Sequence, residues 1–176
     1  MIDHAVLLEG VTRTYGRGAT EVAALREVGV GFARGSFTAV MGPSGSGKST
    51  LLQCASGLDR PQSGAVRIAG QDITRLQGKA LATLRREQVG VIFQAFNLVP
   101  SLTAWQNVIL PSGPARRRPD PARVGELLRR VGLAGRENHR PAQLSGGQQQ
   151  RVAIARALLG GLSATRGARR GPLVAG

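Results

Sequence analysis

The sequence predicts an α/β fold with an N-terminal antiparallel β-subdomain and an inserted helical subdomain. Three observations carry this prediction. A compact apolar run at 37–41 leads directly into a Gly/Ser-rich loop at 42–47 and then a helical stretch, the order of a strand–loop–helix unit. The first 40 residues form short extended segments around a glycine turn, as an antiparallel unit does. From 101 to 135 the apolar spacing becomes helical.

A short strand is expected to begin at 5–8 and to continue extended through 12–15, followed by a turn at 16–19 and β-like stretches over 22–32. After the strand at 37–41 and its loop, 49–56 reads as a helix stopped by Gly57. A turn at 61–64 precedes a strand at 65–68, then a helix at 79–87 and a buried apolar strand over 89–94. Helices are expected near 103–110 and 121–131, separated by a Pro/Arg-rich connector. A strong helix spans 148–159. The tail 161–176 is basic, without apolar period, and is expected to be disordered.

The 176 residues suit one domain, and 41% apolar content supports a core built mainly of Leu, Val, Ile and Ala, since aromatics are only 3%. A single cysteine, Cys54, excludes an internal disulfide framework and a Cys-rich zinc site; it reads as a small core residue. No run approaches a membrane span, and no secretory leader is visible, so a soluble, cytosolic protein is expected. The formal net charge is +14. All ten acids lie at or before Glu137, and 138–176 holds six arginines with no acid. That balance fits nucleic acid, anionic lipid or phosphate ligands, or the absence of an acidic part.

Gly42-Pro43-Ser44-Gly45-Ser46-Gly47-Lys48-Ser49 fits G-x-x-x-x-G-K-[ST], between an apolar strand and a helix. Glycines let successive N–H groups turn inward around phosphate oxygens, and the helix adds its positive end. Lys48 would reach the β- and γ-phosphates, and the Ser49 hydroxyl would ligate Mg²⁺. This predicts a P-loop NTPase without choosing among kinases, GTPases, helicases and transport motors.

Leu144-Ser145-Gly146-Gly147-Gln148, continuing Gln149-Gln150-Arg151-Val152-Ala153-Ile154-Ala155-Arg156-Ala157-Leu158, makes that choice. Ser145 sits at an N-cap position, and two glycines leave the helix start open as a second anion site. With both motifs in this order, the chain resembles the ATP-binding subunit of ABC transporters. It is most similar to the lipoprotein-release, macrolide-export and cell-division types, over a domain at 3–160 with its helical subdomain at about 95–145.

The resemblance implies ATP and Mg²⁺ as cofactors and ATP hydrolysis coupled to transport. It implies phosphate contacts from Gly42, Ser44, Gly45, Gly47, Lys48, Ser49 and Thr50, with Mg²⁺ held by Ser49 and Gln94. Ser145, Gly146, Gly147 and Gln148 would meet the γ-phosphate held by a second copy, giving a head-to-tail homodimer with ATP at the interface. Tyr15 stands where an aromatic stacks on adenine; a core or edge-strand tyrosine is the alternative by spacing. Gln94 stands where a glutamine senses Mg²⁺ and the attacking water and faces the transmembrane partner; a solvated loop glutamine is the alternative. The location implied is cytoplasmic, peripheral on the inner face of the cell membrane through an integral-membrane subunit.

The resemblance also implies a strand ending in Asp-Glu after the signature helix, and a later histidine. This sequence has neither, and it is expected to be an incomplete cassette with an unrelated tail at 161–176. Two alternatives follow: a non-catalytic remnant, or a nucleic-acid-associated ATPase. No nucleic-acid partner is expected, because the scattered arginines lack interleaved aromatics. Arg151 and Arg156 read as structural ion pairs or solvent-facing groups. His4 and His139 have no metal-spaced companions, and Arg116–Arg118 read as a solvated loop, with anionic lipid or a partner's acidic loop as the second option.

Overall fold

The structure is a computed structural model that describes residues 3–112, 119–162 and 173–175. Strands β1 (His4–Tyr15) and β2 (Val22–Ala33) form an antiparallel hairpin whose connection holds one 3-10 turn at Gly18–Thr20. Strand β3 (Ser63–Ile68) pairs with the other edge of β1, and β4 (Gln71–Asp72) pairs with β3. The sheet order is β2-β1-β3-β4, antiparallel throughout. The expected β-subdomain is therefore present, and the run that begins at 5–8 and continues extended through 12–15 forms one strand. The side chains of β1 do not simply alternate. Val6, Leu8 and Val11 all point inward at 2%, 1% and 0% exposure, and the three-residue step after Leu8 breaks the period of two. A register shift between Leu8 and Val11 absorbs the extra residue, as a bulge does.

Helix α1 (Lys48–Ala55) closes this sheet, burying Cys54 and Ala55 against Val6, Leu8, Val11, Leu25, Val66 and Ile68. Helix α2 (Gly78–Gln88) adds Leu81 and Leu84 to the same core, and Val89 just before strand β5 (Gly90–Ile92) and Val91 within it extend it. Burial pushes the Cys54 thiol up from an ordinary 9.0 to about 11, so it packs as a neutral small side chain, as expected.

The segment 37–41, expected as a strand, is not one. No described strand pairs with it, and Phe37 and Met41 are 99% and 87% exposed. An apolar run becomes a strand only where a neighbour accepts its N–H groups and covers its side chains; among the described residues none lies beside it. The tail also departs from expectation. Leu173–Ala175 forms strand β6, parallel to β5 in the register Gly90↔Leu173 to Ile92↔Ala175, so a tail wholly without structure is corrected at these residues. The backbone of a short apolar triplet satisfies itself on the β5 edge. Arg116–Arg118 lie outside the described residues.

A second core belongs to the helical insert. Helices α3 (Ala104–Ile109), α4 (Pro121–Arg130) and α5 (Gly146–Leu162) enclose Val108, Val124, Leu128, Leu133, Val152, Ala155 and Leu159. Helix starts are set by side chains. The Thr103 hydroxyl accepts from Gln106 N–H while the Gln106 side chain accepts from Thr103 N–H, a capping box. Asp120 caps α4 by accepting from Ala122 N–H at 3.0 Å, with Pro121 at the first helical position. Val124 and Leu128, four residues apart, share the buried face of α4.

Candidate nucleotide site

The phosphate loop rides on β2. An added Cβ at Gly47 would lie 2.3 Å from the Ala24 carbonyl oxygen, and Gly47 has φ +85°, so only glycine fits this approach. The first backbone bond of α1 runs from Leu51 N–H to Gly47 C=O at 2.8 Å. The N–H groups of Lys48, Ser49 and Thr50 therefore open the helix without intrahelical acceptors. Thr50 is buried, so its contribution to an anion comes from the backbone, whereas the Ser49 side chain is exposed. Lys48 Nζ donates to the carbonyls of Gly42 and Pro43 at 2.9 and 2.7 Å, which folds the lysine back across the loop. Gly45 has φ +79° and open space around its would-be Cβ. Exposed glycine backbone, a helix start and a lysine held over both make a set of donors without a carboxylate among them, which fits a polyphosphate.

The hairpin register brings Tyr15 to the same side of the fold. Tyr15 pairs with Val22, two residues from Ala24, which supports Gly47. Two strand residues span roughly 7 Å. Tyr15 is 40% exposed; its hydroxyl donates to Asp59 Oδ2 at 2.8 Å, and the Arg13 guanidinium lies 4.7 Å from the ring centroid. Arg13 Nε also donates to Asp59 Oδ2, at 2.9 Å. The ring is thus anchored at its hydroxyl, with the guanidinium stacked on the ring face. Sequence reasoning missed Asp59, which sits in an unremarkable loop after α1.

Ser145 is the N-cap that the sequence suggests. Its hydroxyl oxygen accepts from Gln148 N–H at 3.3 Å, and the Gln148 side-chain oxygen accepts from Ser145 N–H at 2.8 Å. A serine that accepts through its oxygen keeps its O–H free to donate. Gly146 and Gly147 are exposed, with nothing near their would-be Cβ positions. Gln149 locks the approach by donating to the carbonyls of Pro141 and Leu144 at 3.0 and 3.2 Å. This second helix start is anchored in the second core, whereas the phosphate loop is anchored in the first. The two anion-type sites therefore rest on separate scaffolds.

Gln94 is exposed just beyond β5, in a turn closed by Phe96 N–H donating to Phe93 C=O at 2.9 Å. The loop that follows is pinned by fully buried Asn107. Its side-chain oxygen accepts from Val99 N–H at 2.8 Å, and its amide nitrogen lies within 3.2 Å of the carbonyls of Val99, Leu102 and Thr103. Arg156 corrects the sequence reading: it makes no ion pair among the described residues and instead donates to the carbonyls of Phe96 and Asn97. An asparagine inside a helix was the one available sign of the Asn107 anchor, since asparagine favours backbone hydrogen bonding over helix interiors. Among the described residues, no helix is long and apolar enough to cross a membrane.

The ABC transporter family model matches residues 25–163. An uncharacterized ABC transporter ATP-binding protein of Mycobacterium tuberculosis is 50% identical over 153 residues, 86% of this chain and 46% of that protein. The macrolide export ATP-binding/permease protein MacB of Rhodopseudomonas palustris is 48% identical over 167 residues, 92% of this chain and 25% of that one. The chain thus spans less than half the length of these curated relatives. Among solved structures, a dimeric ATP-binding cassette in a post-hydrolysis state bound to ADP and Pi superposes with a TM-score of 0.80 at 45% identity, covering 87% of this chain and 68% of that one. By its motifs, its fold and this match over most of its length, the chain belongs to the ABC transporter family, in the ATP-binding part of that family.

Proposed function

We propose that this chain binds ATP at Gly42–Thr50 as the energy-coupling part of a transporter, with Tyr15 beneath the adenine and Ser49 and Gln94 toward Mg²⁺. The observation that carries this reading is the loop itself: Gly47 pressed onto Ala24, Lys48 folded over the Gly42 and Pro43 carbonyls, and a helix opening at Lys48. Lysine and backbone N–H groups supply positive charge to phosphates, and oxygen ligands such as the exposed Ser49 hydroxyl suit a hard divalent ion.

Ser145, Gly146, Gly147 and Gln148 are proposed to complete the site of a second copy, head to tail. Their support is the open helix start on a different core, and a dimeric cassette among the similar structures. Likeness to MacB supports export through membrane subunits, at the inner face of the membrane. Taken alone, residues 1–176 are proposed to bind ATP without turning it over. Hydrolysis needs carboxylate-held Mg²⁺ and a group that polarises water, and no acid follows Glu137 in this sequence.

Ligand-linked stabilisation tests the site. ATP at about 100 times its Kd should add about 2.7 kcal/mol to unfolding, read as a raised Tm. Lys48→Ala should remove the shift. An equal shift in both proteins would reject the site.

A further inference from the structure

Helix α5 carries Ser145 at its start and Arg156 three turns on, roughly 16 Å along the axis. Arg156 reaches out of the helix to the turn that holds Gln94. Its Nη1 donates to Asn97 C=O at 2.7 Å and its Nη2 to Phe96 C=O at 2.6 Å. Phe96 and Asn97 are consecutive left-handed residues, at φ +57° and +46°, and neither is glycine. Such a conformation costs roughly 1–2 kcal/mol per residue, so two in a row need an external hold. A planar guanidinium fork matches two neighbouring carbonyls, which a single ammonium meets less well. The arginine is half-buried, and burial lowers its pKa, with no carboxylate among the described residues acting on it. A cation in that setting is costly unless it is hydrogen-bonded, and its bonds go to this turn.

We propose that Arg156 is a positioning residue for Gln94, tying the Gln94 turn to the helix that presents Ser145 so that the two move as one unit. Gln94 occupies the second position of the turn 93–96, whose last residue, Phe96, is one of the two that Arg156 holds. The inference rests on the ATP reading above, because Gln94 has a task only if nucleotide and Mg²⁺ arrive.

The test measures binding of a fluorescent N-methylanthraniloyl ATP to the full chain, with Mg²⁺ and with EDTA, in the wild type, Arg156→Met, Arg156→Lys, Gln94→Ala and the Arg156→Met/Gln94→Ala double variant. The expected result is that Mg²⁺-dependent tightening falls about 3- to 10-fold in both Arg156→Met and Gln94→Ala, the scale of one lost hydrogen bond. The double variant is no weaker than the poorer single variant, and affinity in EDTA is unchanged. Arg156→Lys recovers part of the loss. Amide hydrogen exchange at Phe96 and Asn97 speeds up in Arg156→Met and stays as in the wild type in Gln94→Ala.

Equal weakening with and without Mg²⁺, additive effects in the double variant, or a full Mg²⁺ response in either single variant would overturn the proposal. Lys48→Ala serves as the control: undiminished binding there brings down the ATP reading itself, whereas lost binding there with an intact Mg²⁺ response in Arg156→Met brings down only the role of Arg156.

Discussion

Gly47→Ala compared with Gly45→Ala separates the packing of the phosphate loop from its conformational strain. Both glycines are left-handed, at φ +85° and +79°, so alanine at either costs roughly 1–2 kcal/mol of backbone strain. Their surroundings differ. The new Cβ at Gly45 meets nothing within 4 Å, whereas at Gly47 it would sit 2.3 Å from the Ala24 carbonyl oxygen. That contact is with backbone, which cannot swing aside as a long side chain can. Pushing the loop off β2 adds roughly 1–3 kcal/mol, the usual scale of overpacking. Gly47→Ala should therefore destabilise by about 2–5 kcal/mol and Gly45→Ala by about 1–2, read from urea midpoints at constant m-value. Because the loop moves, Gly47→Ala should also weaken ATP binding beyond Gly45→Ala. Equal losses at the two positions would refute the claim that β2 shapes the loop.

Other expectations follow from the same contacts. Asn107→Ala leaves Val99 N–H and three nearby carbonyls without the amide that serves them, so unfolding should cost about 2–4 kcal/mol less, measured by urea denaturation. Leu128→Ala, at a fully buried position of the second core, should cost about 2–5 kcal/mol by the same measure. Native Cys54 should resist alkylation, with labelling appearing only as the chain unfolds. Its folded pKa is raised, to about 11, so its contribution to stability is complete below the unfolded value near 9.0 and is lost as pH rises through 11; a Cys54→Ala variant should show a shallower decline over that window.

The parts of this protein legible in its sequence are those where chemistry is local. Gly42–Ser49 and Leu144–Gln148 announce their backbone needs through residue type: glycines for open N–H groups, Ser145 for a cap, Lys48 for charge. Helices α1, α2, α4 and α5 fall within a few residues of their expected bounds for the same reason, since caps and apolar spacing are read along the chain. What was hidden depends on partners far away in sequence. The bulge between Leu8 and Val11 shows only in the pairing with β2. The apolar run 37–41 reads as a strand by composition, but pairing decides, and no described strand pairs with it. Arg156 meets carbonyls 59 and 60 residues earlier, and Asp59 meets Arg13 and Tyr15 across the fold. No pattern in the neighbouring residues of either signals those contacts.

Gly42–Thr50 is proposed as an ATP site. Calorimetric titration of the chain with Mg-ATP tests it most directly. Saturable binding of about one ATP per chain is expected, abolished or nearly so in Lys48→Ala because the charge facing the phosphates is gone. Failure of the wild-type chain to take up nucleotide, or a Lys48→Ala isotherm that matches the wild type, would contradict it.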